Sequence, residues 1–373
     1  MKPHPHICFI VHEYLEEISD PDNLLNALYS LTDWAEALVQ QGCKISAILR
    51  FTKAARVNRN GVDYYFYADE FGPALKFWQI PRQLHKQVAG LQPDIIHCHN
   101  FNKVLQHRHL FSLTKVPVVI QNHAETPKYS VRNYIQKRVF RNVALAFFSA
   151  EGQEKVWLHK GIFKPDQVRF VMEASVKFKR TDRDIARQES GMNGQPVCLW
   201  VGNLNANKDP LTILEGFNRV LPDYPGAKLY MIYKFDNMIN EVETYLGNNP
   251  EIVKSVFLLG PKKRNDLPEY YNSADYFLLG SHKEGSGYAV LEALACGCIP
   301  VITKIPSFIK MTGDGTVGKL WPPGDVDAFE IALRTTLNQD QKQASESCLN
   351  FFKKHLSYEV IAKQMVEYYR SLL

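Results

Sequence analysis

Two glutamates eight residues apart frame the segment of this sequence whose residue types could do the most chemistry. The segment runs from Glu284 to Glu292 and reads Glu-Gly-Ser-Gly-Tyr-Ala-Val-Leu-Glu. A carboxylate offers two acceptor oxygens, which suit the adjacent hydroxyls of a ribose or a hexose. Glycines between the two acids allow a phosphate to come close to the backbone. The pattern favours a site for a diphosphate with hydroxyl groups on both sides; the alternative is an ordinary helix surface that happens to carry two acids.

The elements expected around this segment explain how the two acids would be positioned. An apolar strand leads into the small-residue loop, and Ser286 is expected to cap the helix that follows. The N–H groups of Gly287 and Tyr288 would then face the ligand, and the helix start would favour an anion through its donors and its dipole. Glu284 would lie in the loop and Glu292 more than one turn inside the helix, so that one acid reaches a sugar and the other a ribose.

The length and the net charge limit the classes of protein to which this sequence can belong. A chain of 373 residues suits two α/β domains better than a single core, and two domains imply a cleft. The net charge is +5, and the whole excess of basic residues lies in the first 175 residues. That half would tolerate an anionic partner or an acidic membrane surface better than the other half. Nucleic acid is not expected, because no basic helix with interleaved stacking aromatics is present.

Short apolar runs alternate with segments of helical periodicity, which predicts parallel βα units in both halves. The clearest helix is expected over 22–41, with Gly42 as its stop. A polar, charge-dense stretch over 178–194 predicts the linker between two doubly wound domains. The expected strands are 7–11, 44–49, 63–68, 94–99, 118–123, 145–149 and 169–172 in the first half and 197–202, 228–233, 256–260, 276–281 and 299–303 in the second.

The cysteines and the amino terminus indicate the compartment. The seven cysteines are scattered and odd in number, which predicts free thiols in a reducing environment. The sequence starts without the apolar stretch of a signal peptide, and no run approaches the roughly 20 apolar residues of a membrane span. We therefore expect a cytoplasmic protein.

One segment of the first half carries basic charges without any acid. It covers residues 129–143, and an amphipathic helix of this kind can lie on an anionic membrane at its inner face. The alternative is a core-packed helix with a solvated basic face. The basic residues are Lys128, directly before this segment, and Arg132, Lys137, Arg138 and Arg141 within it.

The second half resembles the group of GT-B glycosyltransferases that includes family four, whose members carry a Glu-x7-Glu motif. The motif is the segment from Glu284 to Glu292. Val201-Gly202-Asn203-Leu204 with Lys208 is similar to the family's Val-Gly-Arg-Leu and Lys-Gly stretch, and 318–325 is similar to its Gly-Leu-Leu-Val-Pro-Pro-Gly-Asp. The resemblance implies a GT-B fold, in which two Rossmann-like doubly wound domains face a cleft.

The resemblance also assigns roles around the donor diphosphate. Gly202, Asn203 and Lys208 would contact the donor, and Lys208 would neutralise the charge that grows on the diphosphate as the bond to the sugar breaks. A solvated loop lysine is the alternative. Asn203 stands where the family has an arginine, which removes one phosphate charge. Leaving-group stabilisation would then be weaker, or another cation would help.

The first half resembles the family in fewer places. Gln121-Asn122-His123 is similar to a strand end whose histidine faces the donor sugar, so His123 is the expected hydrogen-bonding or proton-handling group, with a structural histidine as the alternative. The family's glycine pair after the first strand is replaced by 12–23, and its Pro-Asn-Gly-Val reads Met172-Glu173-Ala174-Ser175-Val176 here. Two histidine tracts, 97–99 and 107–109, lack further ligands at metal-binding spacing, so no metal is expected.

The resemblance implies a retaining, metal-independent transfer of a sugar from a UDP- or GDP-linked donor to a glycan or lipid-linked acceptor. It also implies a role in the synthesis of cell-envelope glycans. No cofactor is expected besides this substrate. Residues 1–177 would form the acceptor-side domain, 195–355 the nucleotide-sugar domain, and 356–373 a helix crossing back to the first. A non-catalytic subunit of the same fold and a nucleotide-sugar epimerase remain alternatives.

Overall fold

The computed structural model describes residues 4–123, 125–127, 131–172 and 174–373, and it describes the backbone but not the side chains of Val131 and Arg132. Lys128, Tyr129 and Glu173, which entered the sequence predictions, lie outside the described residues. The chain divides into two compact units. Unit 1 consists of Met1–Ala174 with Tyr358–Leu373, and unit 2 consists of Ser175–Ser357.

Unit 1 is built on an eight-stranded sheet whose order is β3-β4-β2-β1-β5-β6-β7-β8. All neighbouring strands are parallel except β3 and β4. The strands are β1 His6–Val11, β2 Lys44–Phe51, β3 Ala55–Arg59, β4 Val62–Ala68, β5 Ile95–His99, β6 Val118–Gln121, β7 Leu145–Phe148 and β8 Val168–Phe170. The first six helices are α1 Pro21–Ala27, α2 Tyr29–Gln40, α3 Arg82–Gly90, α4 Val104–Ser112, α5 Val131–Phe140 and α6 Lys155–His159, and a 3₁₀ turn covers Pro165–Gln167.

Unit 2 is built on a six-stranded parallel sheet whose order is β11-β10-β9-β12-β13-β14. Its strands are β9 Val197–Gly202, β10 Lys228–Tyr233, β11 Val256–Gly260, β12 Tyr276–Leu279, β13 Ile299–Thr303 and β14 Lys319–Trp321. Its helices are α7 Arg183–Ser190, α8 Pro210–Val220, α9 Ile239–Asn248, α10 Pro250–Val253, α11 Leu267–Ser273, α12 Tyr288–Cys296, α13 Pro306–Met311, α14 Val326–Leu337 and α15 Gln341–Phe351, followed by a π turn over Phe352–Leu356.

The central strands of both sheets are buried on both faces, which is why they read as continuous apolar runs in the sequence. In β1, Ile7 to Ile10 are fully buried, and in β13 all five residues are buried. Because helices cover both faces of each parallel sheet, ligands have access to the backbone only at the strand ends. The expected fold class, α/β with two doubly wound domains, is therefore what the structure shows.

The last helix, α16 Tyr358–Arg370, belongs to unit 1 although it follows unit 2 in the chain. It packs along α2 and buries Ile361, Met365 and Tyr369. The hydroxyl of Tyr369 lies 2.6 Å from Nδ1 of His97 in the middle of β5. This buried hydrogen bond ties the end of the chain to the central sheet of unit 1.

Four local expectations differ from the structure. The helix expected over 22–41 is two helices, α1 and α2, because Leu28 leaves the helical conformation with a ψ of 37°. The polar stretch 178–194 contains α7, which packs against α11 within unit 2. Its arginines bind Asp275 at 2.9 Å, so this charged stretch is part of unit 2 and not a separate linker. Strands β3 and β14 were not expected, since β3 alternates polar residues and β14 has three residues.

Candidate active site

A cavity of about 440 Å³ lies at the carboxyl ends of four adjacent strands in unit 2. It is lined by the residues that follow β9, β10 and β11 and by the loop and helix start that follow β12. The strand order reverses between β9 and β12, and such a switch point is the usual ligand position in an open α/β sheet. The cavity contains all the donor-side residues expected from the sequence: Gly202, Asn203, Lys208, Glu284, Ser286, Gly287, Tyr288 and Glu292.

Lys208 and Glu284 form an ion pair across the cavity wall, with both side chains mostly buried. The two loops that carry them are joined by Asn207, which the sequence analysis did not single out. Its Oδ1 accepts from the backbone N–H of Lys283 at 3.1 Å, and its Nδ2 donates to the carbonyl of the same residue at 3.0 Å. The backbone carbonyl of Asn207 also accepts from the N–H of His282 at 2.8 Å. Three hydrogen bonds therefore fix the relative position of the cation and the acid.

Glu292 is buried, with 4% of its surface exposed, and both of its oxygens have partners. Oε1 accepts from Nη1 of Arg264 at 3.0 Å, and Oε2 accepts from the hydroxyl of Tyr271 at 2.8 Å. Burial raises the pKa of Glu292 above its usual value, and the Arg264 guanidinium and the Tyr271 hydroxyl partly offset this shift. Each carboxylate oxygen can accept a further hydrogen bond, so the pair of oxygens is oriented and can still receive a diol.

The start of helix α12 faces the same cavity, but its cap differs from the expected one. Gly287, and not Ser286, is the N-cap residue. The prediction that Ser286 occupies the N-cap position was wrong. Gly287 has a φ of 56°, and a Cβ at this position would lie 2.8 Å from Cε of Met311. The left-handed backbone and the close contact with α13 both require glycine, which leaves the first turn without a bulky side chain in front of it.

Further basic side chains line the cavity besides Lys208. They are Lys234, Lys262 and Arg264, which follow the ends of β10 and β11. The ammonium of Lys234 lies 5.3 Å from the ring centroid of Phe235, and that of Lys262 lies 5.4 Å from the ring centroid of Tyr270. Their position directly after two strands is the signal that could have identified them from the sequence. They supply positive charge in a cavity where Asn203 supplies none.

In unit 1, His123 lies at the carboxyl end of β6 and is exposed. Its Nε2 lies 3.1 Å from Nδ1 of His99, and the two rings are stacked. The carboxylate of Glu125 accepts from the backbone N–H of His123 at 2.7 Å and from that of Phe101 at 3.0 Å. The loop that carries His123 is therefore tied to the end of β5, the neighbouring strand.

Unit 1 also contains a hydrogen-bonded row of imidazoles that the sequence did not reveal. Nε2 of His12 lies 2.9 Å from Nε2 of His85, and Nδ1 of His85 lies 2.9 Å from Nδ1 of His109. His107 is stacked on Phe111 beside them. Burial, followed by neighbouring cationic and imidazole groups, lowers the pKa of His85 and His107 to about 3.

Both halves of the sequence match models of known protein families. Residues 182–348 match the family of group 1 glycosyl transferases, and residues 29–171 match Glycosyltransferase Family 4. Between them the two models cover most of the chain, which is a member of the glycosyltransferases that they describe. Its relatives include mannosylfructose-phosphate synthase of Agrobacterium fabrum, 34% identical over 40% of this chain and 34% of the relative. Sulfoquinovosyl transferase SQD2 of Arabidopsis thaliana is 25% identical over 68% of this chain and 51% of the relative. The match thus spans between a third and about half of the length of these curated relatives.

Solved structures of glycosyltransferases share the fold over nearly the whole chain. Sucrose-phosphate synthase from Thermosynechococcus elongatus superposes with a TM-score of 0.70 at 17% identity and covers 99% of both chains. HepE from Anabaena, solved with UDP, superposes with a TM-score of 0.74 at 14% identity and covers 98% of this chain and 100% of its own. These likenesses confirm the GT-B fold of this family member.

Two cavities flank helix α5 of unit 1, and both are rich in basic residues. They measure about 650 and 800 Å³ and share Tyr134, Arg138 and Asn142. Among the residues that the structure describes, none that lines either cavity is acidic. The other basic residues in them are Arg108 and Lys115 on one side and Lys137, Arg141 and Lys164 on the other.

Within the described ranges, no helix combines the length and the apolar character needed to cross a bilayer. In the same residues, no three or more His, Cys, Asp or Glu side chains are grouped so that they could hold a metal ion. The tracts 97–99 and 107–109 thus place imidazoles in the core of unit 1 without forming such a group.

Proposed function

We propose that this protein transfers a sugar from a nucleoside diphosphate sugar, UDP- or GDP-linked, to an acceptor hydroxyl. The supporting observation is the cavity of unit 2, in which Lys208, the start of α12 and the two carboxylates Glu284 and Glu292 face one space. Such a space offers cationic and N–H contacts to a diphosphate and acceptor oxygens to the hydroxyls on either side of it. Family membership supports the reaction type, and retention at the anomeric carbon is carried over from the resemblance.

In this proposal each residue has a distinct role. Glu292, oriented by Arg264 and Tyr271, binds the ribose diol, and Glu284 binds the sugar. Lys208 and the N–H groups at Gly287 and Tyr288 stabilise the negative charge on the departing diphosphate, so no metal ion is required. His123 is the proposed hydrogen-bonding or proton-handling group in unit 1. Gly202, Asn203 and Ser286 contact the donor from the cavity wall.

The names of related proteins support the donor class and an envelope role. HepE of Anabaena has been solved with UDP-glucose, and a galactosyltransferase of Escherichia coli, 29% identical over 41% of this chain and 40% of its own, is named for UDP-Gal and a diphosphoundecaprenol acceptor. An O-antigen chain mannosyltransferase of Escherichia coli is 30% identical over 48% of this chain and 46% of its own. We therefore propose an acceptor in cell-envelope glycan synthesis, either a glycan or a lipid-linked sugar.

A calorimetric screen of UDP-, GDP- and ADP-sugars, followed by NMR of any donor that binds, tests the proposal. We expect one donor to bind and to be hydrolysed slowly, with the anomeric configuration retained in the released sugar. Binding without turnover, even with candidate acceptors, would indicate a binding subunit of the same fold. Conversion of the sugar while it stays linked to the nucleotide would indicate an epimerase. Glu292→Gln, assayed beside the wild type, shows whether binding takes place in the unit 2 cavity.

We further propose that the protein contacts anionic membrane surfaces from the cytoplasmic side through α5 of unit 1. The basic cavities beside α5 and the exposed ring of Tyr134, which is 70% accessible, support this proposal.

Charge reversal of α5 tests the membrane contact. Substitution of Lys137, Arg138 and Arg141 by glutamate should abolish cosedimentation with vesicles of phosphatidylcholine and phosphatidylglycerol. Reversal of three exposed lysines of unit 2, Lys254, Lys353 and Lys354, is the matched control and should leave cosedimentation intact. Equal losses in both variants would refute a specific role of α5.

A further inference from the structure

The loop between β4 and α3, residues 69–81, is held in place by a buried arginine. Arg50 of β2 has no exposed surface, and its guanidinium binds the carboxylate of Asp69 at 2.7 Å. The same guanidinium donates to the backbone carbonyls of residues 71, 72 and 73 at 2.9 to 3.2 Å. A planar group with five donors fixes several carbonyls at once, so the first part of this loop has one well-defined backbone conformation.

A buried glutamine fixes the second part of the loop. Nε2 of Gln106, which is 1% exposed and lies on α4, donates to the carbonyls of Lys76, Phe77 and Gln79 at 3.2, 3.3 and 2.6 Å. Both ends of the loop are thus attached to the core of unit 1 by polar side chains that have no access to solvent. A loop held in this way loses little conformational entropy when it binds a ligand.

This rigid loop presents a tryptophan to solvent. Trp78 is 70% exposed, whereas the other four tryptophans of the sequence are at most 2% exposed. The ammonium of Lys76 lies 5.8 Å from the centroid of the Trp78 ring. Tryptophan combines a large apolar ring with one polar N–H and is enriched among the residues that dominate binding, so a rigidly held, exposed Trp78 is a candidate contact residue.

The position of the loop in the sheet indicates a ligand site. The loop follows β4, and Arg50 also donates to the carbonyl of His12, the residue directly after β1, at 2.9 Å. Lys103, just before α4, contacts both Glu13 and the carbonyl of Leu75. The loop therefore lies at the carboxyl edge of the unit 1 sheet, against the segments that follow β1 and β5. In an open α/β sheet this is the edge at which ligands bind.

The charges around the loop favour a neutral polyol over a lipid surface. The loop and the adjoining segment after β1 carry four exposed acids against one exposed base, Lys76, and one of these acids, Glu13, is paired with Lys103. The remaining negative charge opposes anionic lipid headgroups. An edge that carries both an aromatic ring and acids instead suits a sugar, because the ring packs on the C–H face of the pyranose while acids accept from its hydroxyls. The exposed acids are Glu13, Glu16, Glu17 and Glu70.

We propose that Trp78 is the stacking platform of an acceptor subsite, on which a neutral sugar ring of a glycan acceptor packs. This inference rests on the proposed glycosyl transfer and names the part of unit 1 that recognises the acceptor. It separates the surface for the acceptor, around Trp78, from the basic surface beside α5. Trp78 is a binding residue in this proposal and takes no part in bond making.

Iodide quenching of tryptophan fluorescence tests the subsite, because Trp78 is the one tryptophan in the sequence that solvent reaches. The probes are maltotriose, cellotriose and mannotriose, at concentrations up to about 100 mM so that dissociation constants in the millimolar range are covered. We expect at least one trisaccharide to lower the iodide quenching constant at least twofold in a saturable manner. Saturation-transfer NMR of that sugar should lose its signal in Trp78→Ala and keep it in Trp78→Tyr. Tyr134→Ala, which removes another ring that is 70% exposed, is the matched control and should keep the signal.

Other outcomes would overturn the inference. Absence of protection by all three sugars would show that the ring does not bind glycans. Protection by vesicles of phosphatidylcholine and phosphatidylglycerol, without protection by sugars, would show a membrane-inserting loop instead. The quenching assay needs no donor, so its result is independent of the donor screen, and a failure of the proposed reaction can be told apart from a failure of this subsite. Since Trp78 is exposed, its substitution should leave the fold intact, and circular dichroism verifies this.

Discussion

Glu292 depends on partners that are distant in the sequence. Arg264 lies 28 residues before it, just ahead of helix α11, and Tyr271 lies 21 residues before it, on that helix. The Glu-x7-Glu spacing predicted where the two acids would lie, but no periodic pattern links Glu292 to a cation so far away. The structure adds that this acid is buried and oriented before any ligand arrives.

We expect Glu292→Gln to weaken donor binding roughly 10- to 100-fold, because the amide replaces one of two acceptor oxygens and loses a charge-assisted hydrogen bond worth about 1.5 to 3 kcal/mol. Titration calorimetry with the donor measures this change. Tyr271→Phe removes a partner of Glu292 from outside the cavity and should weaken binding less. An unchanged dissociation constant in folded Glu292→Gln would exclude this residue from the donor site.

Lys208→Ala should lower turnover more than donor affinity, since the diphosphate gains most of its charge as the bond to the sugar breaks. The kcat and the donor dissociation constant are measured separately to show this. Arg219→Ala, which removes an exposed cation of unit 2 outside the cavity, serves as the control. A loss confined to affinity, with kcat intact, would show that Lys208 acts only on the bound ground state.

Asn207 is a positioning residue in the same cavity wall, because it joins the loops of Lys208 and Glu284. Asn207→Ala should lower kcat by at least tenfold while the donor dissociation constant changes less, since the two charged groups remain but lose their fixed separation. Asn205→Ala, which alters a neighbouring amide on one loop only, is the comparison. Equal kcat values for Asn207→Ala and the wild type would show that the ion pair itself is enough to align the loops.

At the scale of elements, the sequence predicted the central strands well and the edges poorly. Strands such as β9 and β13 are buried on both faces, so unbroken apolar runs marked their ends, and their observed bounds equal the expected ones. β3 is an antiparallel edge strand with half-exposed, polar alternation, and nothing in its composition separates it from a loop. The break at Leu28 and the folding of 183–190 as α7 depend on tertiary contacts that a local pattern does not contain.

Helix α16 offers a test of how strongly one element stabilises unit 1. Tyr369→Phe removes the hydrogen bond to His97 and leaves a buried ring nitrogen without this partner, which should lower the free energy of unfolding by about 1 to 3 kcal/mol. Urea denaturation measures the change. Tyr368→Phe, the same substitution on the half-buried neighbour, should cost less than about 0.5 kcal/mol. Similar values for both variants would show that the contact between β5 and α16 contributes little.

For the whole molecule, the buried imidazoles determine how stability depends on pH. Burial lowers the pKa of six described histidines of unit 1 below their ordinary value near 6.5; His109 lies nearer the surface, and among the five deeper ones the pKa falls to about 3 for three. The folded state therefore keeps them neutral, while the unfolded chain binds protons as the pH falls below about 6.5. Stability is unaffected by these groups above that pH and is lost below it, by roughly 1 kcal/mol for each histidine between pH 6.5 and 5.5. The five are His12, His85, His97, His99 and His107.

Urea midpoints measured from pH 8 to pH 5 should therefore fall steeply below about pH 6.5. His107→Phe should make the fall less steep by about one proton, because one buried imidazole is gone. His159→Gln, on the surface of the same unit, should leave the slope nearly unchanged. A flat profile over this range would show that the imidazoles accept protons without unfolding unit 1.

All seven cysteines are unpaired and buried, and burial raises the pKa of Cys43 to about 11 and those of Cys8 and Cys348 to about 12. Such thiols stay protonated at neutral pH and react slowly with maleimides and peroxide. The native protein is thus close to inert toward thiol reagents without any of its cysteines being replaced. A cysteine introduced at position 78 would be the fast-reacting thiol of the chain, and a spin label or dye attached there would report on the acceptor surface against a silent background.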